Sequence, residues 1–96
     1  MTMEAKRRRQ IWDLKIEPEW FEEILDGVKG YEIRKMERDY RPGDGLILRE
    51  WEDGAYTGRT IGAEILSVHP AGEAPGLRAG WCVLGIRRDY YLKNFR

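Results

Sequence analysis

The sequence predicts an α+β fold: a small closed or partly closed barrel of five or six short strands, with one main helix between the first two. Three features carry that expectation. Apolar and polar residues alternate with a period of two over several short runs, one stretch switches to helical spacing, and turn residues punctuate the chain at short intervals.

The first strand is expected over Ile11 to Ile16, with Trp12, Leu14 and Ile16 as its apolar set. Pro18 then suits the first turn of a helix, Glu19, Glu22 and Glu23 suit its electropositive end, and Gly27 suits a left-handed stop. Phe21, Ile24 and Leu25 would form the buried face. Glu17 is a poor N-cap and Asp26 sits at the unfavourable end of the dipole, so this helix depends on tertiary support. A second strand follows over Tyr31 to Met36, and Arg41-Pro42-Gly43-Asp44 fits a type II turn. Leu46-Ile47-Leu48 opens the third strand. Glu52-Asp53-Gly54-Ala55 reads as a hairpin loop, and Tyr56 through Val68 as a strongly curved return arm with Gly62 at its bulge or bend. Beyond a loop at Pro70 to Gly76, the apolar run from Trp81 to Ile86 predicts a strand buried on both faces that closes the barrel.

Ninety-six residues make one domain with a modest core, since a chain of this size buries only about 60 to 65% of its unfolded surface. A content of 42% hydrophobic residues, with four tryptophans and five tyrosines, is globular despite 35% charged residues. The division expected is a disordered basic tail over 1–10, the barrel over 11–88 and a basic aromatic tail over 89–96. Net charge is zero, yet both ends are basic, and termini that met at a barrel edge would form one cationic patch. Cys82, the one cysteine, has no partner for an internal disulfide and reads as a small buried hydrophobe in a reducing cytoplasm. No apolar run approaches a membrane span and no secretory signal is evident, so no membrane partner is expected. Oligomeric state is left open.

The most informative stretch is Gly27-Val28-Lys29-Gly30-Tyr31-Glu32-Ile33-Arg34, where a cation, an anion and a second cation crowd the junction of helix and strand. Strand alternation sends Tyr31 and Ile33 inward and sets Glu32 and Arg34 together on the other face, roughly 7 Å apart. Lys29 has the wrong parity to join them on a straight strand, and positive φ at Gly27 or Gly30 would swing its ammonium over the same mouth. Either this is a surface ion pair or it is the mouth of a site.

Gly27-x-Lys29-x-x-Glu32-x-Arg34 resembles the Gly-x-Lys-x-x-Glu-x-Arg signature of ASCH domains, small β-barrels of the PUA-like superfamily. Arg34-Lys35-x-x-Arg38-Asp39-Tyr40, Pro42-Gly43-Asp44, Tyr56-Thr57-Gly58-Arg59 and a glycine-led strand from Gly80 extend the resemblance toward a small, uncharacterised bacterial and phage subfamily. It covers roughly Trp12 to Arg87. That subfamily usually begins His-x-Leu-Lys, where this chain has Trp12-Asp13-Leu14-Lys15, so no role of the histidine transfers.

The resemblance implies RNA or a nucleotide-like small molecule as ligand, held without a resident cofactor. Lys15, Lys29, Arg34, Lys35 and Arg38 would engage phosphate or carbonyl oxygens, and Glu32 would accept from a base amino group. Tyr40 and Trp51, amid polar residues near strand ends, are the candidates for stacking on bases, whereas Trp20, Tyr31 and Trp81 read as core. For Trp51, cross-strand packing on Tyr56 is the competing assignment. Some ASCH relatives hydrolyse acylated cytidine through a lysine and a threonine. Here Lys29 is present but Glu32 stands where the threonine would be, leaving Lys29 and Glu32 as an acid and base pair for water in a hydrolase reading. An acidic helix face serving a protein partner is a third reading. One His, one Cys and scattered carboxylates do not make a zinc site, and Glu32 and Asp39 are the first candidates for a magnesium held with substrate phosphates.

Overall fold

The computed structural model describes residues 8–92, and its elements run β1 (Ile11–Ile16), α1 (Pro18–Leu25), β2 (Tyr31–Lys35), β3 (Gly45–Glu52), β4 (Ala55–Pro70) and β5 (Trp81–Arg88). They form a five-stranded sheet in the order β1-β3-β4-β5-β2. β1 lies parallel to β3 and the other three pairings are antiparallel. The chain is thus an α+β half-barrel with its helix between the first two strands, and β1 and β2 are its two edges. β5 sits between β4 and β2, so it carries the sheet round without closing it by a backbone ladder.

Turn chemistry sets the register. Asp53 and Gly54 both take positive φ (50° and 81°), as a two-residue type I′ turn requires, and this aligns Trp51 with Tyr56 across the hairpin. Gly43 at φ 94° completes the type II turn, closed by the Asp44 amide donating to the Arg41 carbonyl at 3.0 Å.

Curvature comes from two irregularities in β4, neither of them at Gly62, which pairs with Ile47 in continuous register. Thr57, Gly58 and Arg59 together oppose the single residue Glu50, with Gly58 at φ 95°. Leu66 is the extra residue between the Ile65–Ile86 and Ser67–Gly85 pairs, which turns its side chain outward. Bulges of this kind bend the strand and increase its twist.

Leu46 and Leu48 from β3, Ile61, Ala63 and Ile65 from β4, and Cys82 and Leu84 from β5 are completely buried and form the centre of the core. Burial along β5 alternates, because only one face meets this core, and the two-sided burial expected from its apolar run is not found. Phe21 and Ile24 seat α1 in the core, while Leu25 stays exposed. Glu17 caps α1 with no side-chain hydrogen bond, and the support the helix needs comes from the sheet. The Arg59 guanidinium bonds Glu22 and lies 4.6 Å from the Phe21 ring, and Arg88 Nη1 donates to the Leu25 carbonyl at 3.4 Å, bringing a cation to the helix C-terminus.

At the start of the described chain the Gln10 amide donates to Asp44, and Arg9 lies 3.9 Å from Asp89 near the other end. Leu92 packs over Gly45 and is buried. The remainder of the two tails expected at 1–10 and 89–96, residues 1–7 and 93–96, lies outside the described residues.

Candidate functional site

Lys29, Glu32 and Arg34 reach one place by two local devices. The first is the end of α1. Gly27 takes φ 76°, and the amides of Val28 and Lys29 both donate to the Glu23 carbonyl (2.9 and 3.1 Å), so Val28 is thrown outward and Lys29 inward. Gly30 has no positive φ and makes no bend. Its carbonyl instead accepts the Ile86 amide at 3.0 Å and starts the β2–β5 ladder.

The second device is the register of β2. Glu32 pairs with Leu84 and Arg34 with Cys82, the positions of β5 that face the core. Alternation therefore holds but with the faces exchanged: the charged pair points into the barrel, and Tyr31 and Ile33 are exposed. Glu32 is only 4% exposed and Lys29 8%. Removing such charges from water costs several kcal/mol per ion unless partners compensate, and here they do. Arg34 Nε donates to Glu32 Oε2 at 2.8 Å, Arg34 Nη2 approaches the same oxygen at 2.7 Å, and Lys29 Nζ donates to Oε1 at a looser 3.5 Å. Trp20 and Tyr31 put their ring faces 4.6 and 5.1 Å from the Lys29 ammonium, and the ring quadrupoles supply the rest of its stabilisation. Arg34 Nη2 also donates to the Lys15 carbonyl, joining edge strand β2 to edge strand β1 across the seam.

A pocket of about 400 Å³ opens at that seam, walled by Trp20, Tyr31 and Trp81 with Lys29, Glu32 and Arg34 along its inner side. A second hollow of about 490 Å³ adjoins it through Lys15, Ile33, Arg34 and Trp81 and adds Lys35 and Arg38. Of the expected ligand contacts, then, Lys15, Lys29, Glu32, Arg34, Lys35 and Arg38 all line these two adjoining hollows, which together make the groove. The two stacking candidates stand differently. Tyr40 is 5% exposed, packs edge-on against Trp12 at 5.7 Å, and burial pushes its hydroxyl pKa up; it touches the second hollow from beneath. Trp51 packs edge-on against Tyr56 at 4.8 Å with Lys15 Nζ 3.9 Å over its ring, and it lines neither hollow. The aromatic walls come instead from Tyr31, Trp81 and Trp20, the last 42% exposed, all three of which the sequence had suggested as core.

Trp12, in the place of the histidine, is structural. Its Nε1 donates to Asp44 Oδ2 at 3.0 Å, and the same buried carboxylate accepts the amides of Gln10 and Arg41. One further charged residue escaped the sequence reading. Glu50 is buried and accepts from Thr57 Oγ1 (2.7 Å) and from Arg59 Nε and Nη2 (2.9 and 2.8 Å), bonds that hold its carboxyl down at about 2. The signal for it was present, since Glu50 shares parity with Leu46 and Leu48, yet a charged residue on a core face reads as a pattern break. Among the described residues no group of three or more His, Cys, Asp or Glu side chains is placed to hold a metal ion. The magnesium candidates are engaged elsewhere, Glu32 by two cations and Asp39 by Arg41 at 2.9 Å. Cys82 is a buried free thiol whose pKa burial raises, and no described helix is long and apolar enough to cross a membrane.

Residues 11–86 match the family described as "Domain of unknown function (DUF3850)". The chain belongs to the DUF3850 family. The match takes in the helix and all five strands save the last two residues of β5, and every groove residue named above lies within the DUF3850 region. A relative from Escherichia phage P2, an "Uncharacterized 12.9 kDa protein in GpA 3'region", is 42% identical over 59 residues, which are 62% of this chain and 54% of that protein. The chain thus matches about half the length of that relative. Among solved structures, that of hypothetical protein PH0355 superposes with a TM-score of 0.58 at 16% identity, covering 83% of this chain and all of the other, a likeness of fold alone.

Proposed function

We propose that this DUF3850 domain is a PUA-like, ASCH-type module that binds RNA or a nucleotide-like ligand in the groove at its open seam. The observation that carries the reading is the convergence of Lys29, Glu32 and Arg34, largely buried, on a pocket with aromatic walls. A structural ion pair has no need of such a hollow, and its volume falls in the range of small-molecule sites. The chemistry suits nucleic acid: cations for phosphate, ring faces for bases, and a carboxylate acceptor for base N–H groups. A cytoplasmic location, where Cys82 stays reduced, belongs to the same reading.

The test is titration of single-stranded RNA into wild-type protein, Lys29→Met and Glu32→Gln at several salt concentrations. Lys29→Met is expected to weaken binding at every salt concentration, and Glu32→Gln to change base preference. Equal affinities and base preferences in all three proteins would overturn the reading.

A hydrolytic reading has one observation in its favour, the Lys29–Glu32 pair at 3.5 Å facing a pocket. Turnover of an acylated nucleoside that Lys29→Met abolishes would establish it, and absence of turnover in the wild type would dismiss it.

A further inference from the structure

The groove is chemically uneven, and the unevenness names a ligand within the reading above. Its inner hollow offers a donor beside an acceptor. Lys29 carries three N–H donors, of which one is used, loosely, on Glu32 Oε1 at 3.5 Å, while ring faces cover two sides of the ammonium. Glu32 Oε2 takes both short contacts from Arg34, so Oε1 keeps capacity to accept. A buried ammonium and a carboxylate oxygen with unspent hydrogen-bonding capacity, between aromatic walls, match a flat heterocycle carrying an acceptor next to an N–H.

The outer hollow is of another kind. Lys35 and Arg38 line it, and neither pairs with a carboxylate among the described residues. Their charges rest over indole faces instead, Lys35 Nζ 5.9 Å from Trp81 and the Arg38 guanidinium 5.8 Å from Trp12. Of the two acidic side chains that line it, Asp13 is bonded to Arg49 Nε at 2.5 Å, and Glu37 makes no ion pair with either cation among the described residues. Arg34 borders both hollows, fixed by Glu32 and the Lys15 carbonyl.

We infer that the groove takes a single unpaired nucleotide, its base edge read by Lys29 and Glu32 in the inner hollow and its phosphate held by Lys35 and Arg38 in the outer one. Pairing would turn that edge toward a partner base, out of reach of both side chains, so a duplex is not the ligand. The inference rests on the proposed nucleotide-binding function and adds to it which groups of the ligand go where.

Calorimetric titration of a nucleoside, its 5′-monophosphate, inorganic phosphate and a short single-stranded oligoribonucleotide tests it, with wild-type protein, Lys29→Met and the double variant Lys35→Ala/Arg38→Ala. The monophosphate is expected to bind about tenfold or more tightly than the nucleoside, as one or two charge-assisted hydrogen bonds allow. The double variant should bring that ratio close to one, since the nucleoside lacks the phosphate that both residues hold. Lys29→Met should weaken nucleoside and monophosphate alike. A wild-type ratio near one, a ratio that survives the double variant, phosphate binding as tightly as the monophosphate, or binding of the oligoribonucleotide alone would each overturn the inference and leave the broader reading standing. If none of the four probes binds, that broader reading falls with it.

Discussion

Arg34 on β2 donates through Nη2 to the backbone carbonyl of Lys15 on β1, and this bond spans the two edges that the five-stranded ladder leaves unpaired. The same guanidinium compensates buried Glu32. One side chain therefore both ties the seam and keeps a carboxylate in the barrel, and the pocket occupies the space beside it.

Replacing Arg34 is accordingly expected to cost more than a surface pair would. Arg34→Ala leaves Glu32 with one loose cation partner and is expected to destabilise the fold by about 2 to 4 kcal/mol. Arg34→Ala combined with Glu32→Gln should regain part of that loss, because no buried charge is then left uncompensated. Urea unfolding of the single and double variants measures both numbers.

Acid should find Glu50. Its folded pKa, lowered to about 2 from a usual 4.5 by hydrogen bonds from Arg59 and Thr57, lies below the unfolded value. The folded state therefore binds this proton less readily, and the stability Glu50 contributes is present above pH 4.5 and lost as pH falls toward 2. Glu50→Gln is expected to be less stable than wild type at neutral pH and to lose less stability over that acid window. Denaturation midpoints at stepped pH read the difference in slope.

Gly85 stands opposite Tyr31, where β2 begins, and a Cβ there would clash with Ser67 Oγ. Gly85→Ala is expected to cost about 1 to 3 kcal/mol, the usual range for overpacking. Ser67→Ala keeps only a Cβ at an ordinary 3.7 Å, so the double variant should recover most of the loss. A double-mutant cycle by thermal unfolding checks the coupling.

The fold could be read from the chain to the extent that local chemistry decides it. Pro18 and Gly27 bounded α1, Asp53-Gly54 fixed the hairpin, and period-two runs marked the strands. What escaped depended on register between distant strands. Nothing local to Tyr31-Glu32-Ile33-Arg34 says which parity faces in; pairing with Cys82 and Leu84 decides it, and it sends the charges inward. The bend lies at Gly58 rather than Gly62 because three residues of β4 gather opposite Glu50, a relation between two strands. Tyr40 and Trp20 exchanged their expected surroundings for a similar reason, since a polar neighbourhood in sequence does not report which ring the core needs.

The Lys29–Glu32–Arg34 pocket as the ligand site is best put to a spectroscopic trial with Lys29→Met as its control. Trp20 and Trp81 wall the pocket. In a titration with a short single-stranded oligoribonucleotide followed by NMR, the indole N–H signals of Trp20 and Trp81 should move and saturate together, and Lys29→Met should suppress the movement. Binding that leaves Trp20 and Trp81 unshifted, or shifts identical in Lys29→Met, would contradict it.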